Sequence, residues 1–383
     1  MEAKIHAAMA ELAPALEHIT RELYLKPELG DAEHYASALH IDLLRRHGFS
    51  VEAPFCSLET GFKAVWSAPN PGPTVAILVE YDALPDIGHG CGHNIHGAAC
   101  TGAGIALKAA LTGLGGTVWV IGSPAEETTA AKTRYVKAGI FDNVDFALMA
   151  HSSNQWLQSG TSLALTPLQF EFFGQTAHAA SAPEMGINAL DAGLITMTAI
   201  NALRQHVHSD SRIHGIVRSG GTAANIVPDY CKLEFYVRSQ EYAYNLELAE
   251  RVKNCARAGA LATGARLEIG HFEAPMANMR TNPVLNAIFC QTAQQRFGLD
   301  ITAVKSGGST DMGDVSQVCP AIHPYFDITH GDLSCAGHTR QRADYTITPF
   351  AFREMAKAAD ILALTAAKIM TNPALMEAVK AAF

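Results

Sequence analysis

Three short stretches constrain this chain most. Residues 74–79 read Thr-Val-Ala-Ile-Leu-Val, and residues 117–121 and 145–150 are similarly apolar. None alternates polar with apolar residues, so each predicts a strand buried on both faces. Helix-like segments lie around them: residues 3–24, 31–48 closed by Gly48, the Ala- and Gly-rich 95–111, and a short one at 133–138. Strands of this kind alternating with helices predict an α/β layered domain with a mostly parallel central sheet.

The pattern changes near residue 163. Strand-like segments at 168–173, 213–218, 231–238 and 266–272 are interleaved with helical segments at 188–206 and 245–263. The order β-α-β-β-α-β predicts a ferredoxin-like α+β unit. After it come a helix at 283–297, a Gly307-Gly308-Ser309 loop, a strand near 321–326 and a last helix, with Thr348 as its cap and Pro349 in its first turn. The expected architecture is a catalytic α/β domain built from residues 1–165 and 280–383, with residues 166–279 inserted between its halves.

Composition removes several function classes. Of 383 residues, 48% are hydrophobic, so packed cores are available. The net charge is −9 and no Lys/Arg run interrupts it, which argues against a nucleic-acid partner. No stretch approaches the ~20 apolar residues of a membrane span. The first twenty residues read as an amphipathic helix rather than a signal peptide, so the expected location is the cytoplasm. Eight scattered cysteines with no Cys-x-x-Cys pair do not make a disulfide scaffold.

The chemistry lies at the strand ends, where open α/β sheets bind ligands. The first predicted strand runs into Asp82, the second is followed by Glu126-Glu127, and the third ends at His151. Between the first and second lies His89-Gly90-Cys91-Gly92-His93-Asn94-Ile95-His96. Its glycines allow tight turns that bring neighbouring side chains to one point. Alone, each group has an ordinary reading: a hydrogen-bonded His, a packed thiol, a solvent-facing pair of carboxylates. Together, thiolate, imidazole and carboxylate suit a borderline divalent metal such as Zn²⁺. A thiolate can bridge two ions, an arrangement suited to amide hydrolysis.

The segments Tyr81-Asp82-Ala83-Leu84-Pro85, Gly88 to Asn94 and Pro124-Ala125-Glu126-Glu127 resemble the zinc aminoacylase/carboxypeptidase metallopeptidases. The resemblance runs nearly end to end, through Gly174 to Ala180, Ala224 to Asp229, Gly308-Ser309-Thr310-Asp311 and Gly337-His338-Thr339. The branch it resembles contains p-aminobenzoyl-glutamate hydrolase, N-acyl-amino-acid amidohydrolases and β-alanyl-dipeptide hydrolases. Two departures from other members matter. Asn94 replaces a common Asp, as in the aminobenzoyl-glutamate and β-alanyl branch, and Tyr81 replaces a ligating His of more distant relatives.

The resemblance implies a role for each matching residue. Cys91 would bridge two divalent ions per chain, Zn²⁺ or Mn²⁺ foremost, with Co²⁺ or Ni²⁺ as options. His93, Glu127, His151 and His338 would be the other ligands, with Asp82 orienting a ligand from behind. Glu126 would be the general base for a metal-activated water. His178, on the inserted domain, would polarise the scissile carbonyl in a partner subunit, joined by Asn225. That domain would also form a homodimer interface.

The function implied is a metal-dependent amidohydrolase acting on a small N-acyl or aroyl amino acid or dipeptide. Arg238 and Arg280 are candidates for a substrate carboxylate, since Arg binds carboxylates bidentately; Arg238 is favoured. His89 and His96 are expected to support the cluster rather than ligate. Gly307-Gly308-Ser309-Thr310 lacks the spacing and Lys of a phosphate loop and is expected to line the pocket. The rival readings are an amidase with Cys91 as nucleophile, and an inactive binding protein on the same fold.

Overall fold

A computed structural model describes residues 1–303 and 308–383; Gly307 of the expected pocket loop lies outside them. In chain order the strands are Ser50–Glu52 (β1), Phe62–Ser67 (β2), Asn70–Val79 (β3), Gly115–Gly122 (β4), Phe146–Leu148 (β5) and His151–Ser153 (β6). Ala164–Phe173 (β7), Arg212–Ser219 (β8), Tyr230–Ser239 (β9), Arg266–Gly270 (β10), Ala321–Ile322 (β11) and Tyr325–Asp327 (β12) follow. The helices are Glu2–Leu25 (α1), His34–Arg46 (α2), His93–Leu111 (α3), Ala131–Lys137 (α4), Ala189–Leu203 (α5) and Tyr242–Thr263 (α6). Pro283–Phe297 (α7), Met312–Val315 (α8), Arg340–Tyr345 (α9), Pro349–Met370 (α10) and Pro373–Ala381 (α11) complete them.

The chain forms two compact units: residues 1–161, 279–303 and 310–383 in one, and 162–278 with 308–309 in the other. The first holds a six-stranded sheet in the order β1-β2-β4-β3-β5-β11. The β4-β3, β3-β5 and β5-β11 pairs are parallel; β1-β2 and β2-β4 are antiparallel. Val75 to Val79 of β3 are wholly buried, as an unbroken apolar strand requires. Helix α3 lies close to this sheet because its residues are small. A Cβ at Gly97 would fall 2.2 Å from the Glu80 carbonyl oxygen. Expected strand 321–326 is divided: Ala321–Ile322 joins the central sheet, and Tyr325–Asp327 pairs with β6 in a separate ribbon.

The second unit has its own core and a four-stranded antiparallel sheet, β10-β7-β9-β8, with α5 and α6 packed on it. Its chain order, β7-α5-β8-β9-α6-β10, is the β-α-β-β-α-β series. Strand β9 alternates buried and half-buried residues along its whole length. Asn188 caps α5 by accepting the Leu190 and Asp191 N–H groups. Strands β1 and β2 and helix α11 go beyond the sequence expectation. The first two flank the sheet edge, and Asn372 caps α11 ahead of Pro373.

Candidate active site

Glu80-Tyr81-Asp82 follow strand β3 directly, and all three side chains are buried. Gly92 then takes φ +88°, and a Cβ there would lie 2.1 Å from Ser152 Oγ. The left-handed turn and the contact with Ser152 both call for glycine. The Ser152 hydroxyl donates to the Cys91 carbonyl at 3.1 Å, fixing the loop against β6. Helix α3 begins at His93. From the late segment, the His338 N–H donates to the Gly90 carbonyl at 3.0 Å. Distant stretches of chain therefore meet around Cys91.

The second carboxylate loop is held from behind. Ala125 adopts φ +55°, an uncommon conformation for a residue with a Cβ. Its N–H donates to Glu33 Oε1 at 2.7 Å, and the other Glu33 oxygen accepts from the Thr60 hydroxyl at 2.9 Å. Burial, and then the negative charge of Asp82, raise the Glu33 carboxyl to about 7. Glu126 and Glu127 follow directly.

Where these loops meet, Cys91 Sγ is 3.5 Å from His151 Nε2. His93 Nε2 lies 3.9 Å from Glu127 Oε1 and 4.0 Å from Glu126 Oε2. His338 Nε2 is 3.4 Å from Glu127 Oε1. The far nitrogens set the orientation of two rings. His93 Nδ1 is 2.8 Å from Asp82 Oδ1, and His151 Nδ1 donates to the Ser152 carbonyl at 2.7 Å. Each ring thus turns Nε2 inward, as metal-ligating histidines do.

These residues fit a divalent ion. His93 Nε2 and Glu127 Oε1 are buried with no hydrogen-bond partner among the described residues. Buried polar atoms ordinarily find partners, so a pair of orphans facing one another marks a place for a cation. Ligand atoms of Cys91, His93 and Glu127 lie within 4.8 Å of one another, as do those of Glu80, His93, His96 and His151. His93 is common to both groups.

The electrostatics favour metal ligation over a nucleophilic cysteine. Burial pushes the Cys91 thiol up to about 12, against the counteracting pull of His93. Reactive cysteines have depressed values, whereas a bound cation deprotonates a coordinating thiol outright. Burial opposes charge on His93, but Asp82 and Cys91 overcome it and hold the ring well above its usual value. His151 falls to about 3 through burial and the neighbouring His323, so it is neutral and able to ligate. Burial, then the charges of Glu80, Asp311 and Glu127, raise Glu126 well above the usual carboxylate range, the direction expected of a proton-transferring carboxylate.

Seven sequence-predicted residues meet in the first unit: Asp82, Cys91, His93, Glu126, Glu127, His151 and His338. The other three belong to the second unit. His178 is exposed there, and its Nδ1 accepts the Ala180 N–H at 3.2 Å. The Asn225 carbonyl accepts the Ala179 N–H at 3.0 Å, so His178 and Asn225 sit on adjoining turns. Arg238 donates to Ser309 Oγ at 3.0 Å and its guanidinium lies 5.2 Å from the Tyr236 ring centre. Arg280, in the first unit, donates to the Phe383 carbonyl.

Sequence reasoning missed Glu80, Lys132, Asp311 and His323. Glu80 had a signal, standing one residue beyond an apolar strand and two before Asp82. Asp311 follows the Gly307-Gly308-Ser309-Thr310 loop and closes the Gly308-Ser309-Thr310-Asp311 stretch that carries the resemblance, where it had no assigned role. Lys132 is a single lysine on a short helix, and nothing around it in sequence marks it. His96 Nε2 is 2.8 Å from Glu80 Oε2.

Known proteins share this architecture. The model of Peptidase family M20/M25/M40 matches residues 76–367. The mouse Xaa-Arg dipeptidase is 35% identical over 395 aligned residues, spanning 97% of this chain and 90% of that protein. One of the component chains of p-aminobenzoyl-glutamate hydrolase from Escherichia coli is 33% identical over 292 residues, 71% of this chain and 59% of that one. A solved aminobenzoyl-glutamate utilization protein from Klebsiella pneumoniae superposes with a TM-score of 0.76 at 22% identity. That match covers 96% of this chain and 99% of the other. The chain belongs to Peptidase family M20/M25/M40 and is a metal-dependent peptidase or amidohydrolase of that family.

Proposed function

We propose that this enzyme hydrolyses the amide bond of a small dipeptide or N-acyl amino acid, with two divalent ions held by Cys91, His93, Glu127, His151 and His338. The observation that carries this reading is the pair of orphaned buried atoms, His93 Nε2 and Glu127 Oε1, facing each other beside Cys91. Zn²⁺ or Mn²⁺ suits the mixed thiolate, imidazole and carboxylate set. Such ions supply Lewis acidity and lower the pKa of water. Glu126 accepts the proton of the attacking water and returns it to the leaving nitrogen. Asp82 orients His93, and Ser152 orients His151.

The similarity to Xaa-Arg dipeptidase over 97% of the chain supports a dipeptide ending in a basic residue as the first substrate class. In this reading Arg238 binds the substrate's carboxylate end, and His178, joined by Asn225, donates to the scissile carbonyl in a partner subunit. The second unit would act as a lid and join two copies. Its strand β8 is a sheet edge carrying exposed Ile216 and Val217, which supports an interface with a second copy. Eight free cysteines fit a reducing compartment and hence the cytoplasm.

The test is a panel of Xaa-Arg and Xaa-Lys dipeptides, p-aminobenzoyl-glutamate and N-acetyl amino acids, with metal content measured on the same samples. Activity lost on chelation and regained with metal supports the reading. Turnover by metal-free protein that is abolished by thiol alkylation would move the chemistry to Cys91. Preference for the aminobenzoyl or acetyl substrates would keep the mechanism and replace the substrate class.

A further inference from the structure

The first unit contains a third cluster of charged groups beside the proposed metal ligands. One carboxylate oxygen from each of Glu80, Glu126 and Asp311 lies within 4.8 Å of the others, and all three residues are buried. By composition this trio is itself a cation site. It already contains one. Lys132 is wholly buried, and its Nζ is 2.5 Å from Glu80 Oε1 and 2.5 Å from Asp311 Oδ1. Asp311 Oδ2 also accepts the Lys132 backbone N–H at 3.1 Å, so one carboxylate grips this residue at both ends.

We propose that Lys132 is a positioning residue: its ammonium occupies the Glu80–Glu126–Asp311 cluster in place of a metal ion and fixes the orientation of Glu80 beside His93 and His96. Coulomb attraction alone would draw a divalent ion to three buried carboxylates. An ammonium at hydrogen-bond distance from two of them takes up the space and offsets part of the charge. Its hold extends to the proposed metal ligands through Glu80. One oxygen of Glu80 is held by Lys132, while the other is 2.8 Å from His96 Nε2 and 3.6 Å from His93 Nε2. Without Lys132, Glu80 would lose the contact that fixes this orientation beside His93. The consequence for turnover rests on Glu126 being the base. The exclusion of metal does not, and it is read without turnover.

The wild-type protein gives the first test, independent of any variant's folding. Crystals equilibrated with millimolar Mn²⁺ and examined by anomalous diffraction should show no ion among Glu80, Glu126 and Asp311. A peak there would overturn the proposal. In K132M the same experiment should place an ion in that cluster, and metal analysis should count one more ion per chain than in wild type. The doubly changed K132M/D311N should lose that added ion. In Co²⁺-loaded protein, K132M should change the visible spectrum and lower kcat at least tenfold with KM moving less, and K132R should restore both. A folded K132M with the wild-type ion count and spectrum would overturn the proposal. Should K132M not fold, the wild-type diffraction and the K132R spectrum decide it.

Discussion

Asp82 grips His93 with one oxygen, 2.8 Å from Nδ1, while its other oxygen accepts the Glu127 N–H at 3.1 Å. One buried carboxylate therefore sets two of the proposed metal ligands at once. Burial disfavours its charge, but His93 and the Glu127 N–H overcome this and keep Asp82 below its ordinary value. Outer partners of this kind are worth about 10–100-fold in metal affinity. D82N should weaken metal binding by about that factor, measured by competition with a chromophoric chelator. Unchanged affinity would show that packing alone orients His93.

Glu126 and Glu127 are adjacent in sequence but are assigned different work, so they should fail differently. E126Q should retain metal and lose about 10²–10⁴ in kcat, the usual contribution of a general acid–base group. E127Q should lose metal as well as activity. Stopped assays paired with metal analysis separate the two. If E126Q kept its kcat, the base would have to be sought elsewhere.

Metal uptake should be proton-coupled. The Cys91 thiol is pushed up to about 12 by burial, and His93 is held well above its usual value mainly by Asp82 and Cys91 against burial. Both must lose a proton to ligate, so metal competes with protons and affinity should rise with pH through the neutral range. Calorimetric titrations at pH 7 in buffers of different ionisation enthalpy should show net proton release. An observed enthalpy independent of buffer would contradict the protonated starting state.

Glu33 should make the metal-free protein less stable at alkaline pH. Its folded-state value of about 7 lies above the ordinary 4.5. The folded chain therefore holds a proton between those values that the unfolded chain releases. The resulting stabilisation is fully present below 4.5 and is lost as pH rises through 7, amounting to about 3 kcal/mol. E33Q cannot ionise yet still offers an oxygen to the Ala125 N–H. Its melting temperature, compared with wild type under chelation, should be higher at pH 8 and converge with it near pH 5. A constant difference across pH would point to altered packing instead.

Local sequence carried much of the architecture. The wholly buried β3, the small-residue helix α3, and the capped starts at Thr348 and Asn188 follow from patterns spanning a few residues. Short elements were harder to read. Strand β1 has three residues, and pairing with β2 defines it more than any alternation of its own. The run at 321–326 looked like one strand, yet the backbone divides it between two sheets. No window of sequence shows which neighbour each half will pair with.

The same division runs through the site. The sequence alone determined which chemical groups are delivered to the strand ends: Asp82, Cys91, His93, Glu126, Glu127 and His151 stand at or just past apolar runs, where the backbone must leave the sheet. Only tertiary structure decided which of the remaining charged residues are buried, and opposite what. Lys132, Glu80 and Asp311 are 52 and 179 residues apart along the chain, measured from Lys132, yet they form one ion cluster. A charged side chain enters a core only when partners compensate its lost hydration. Those partners are supplied by packing between distant segments, so their arrangement is a property of the folded unit.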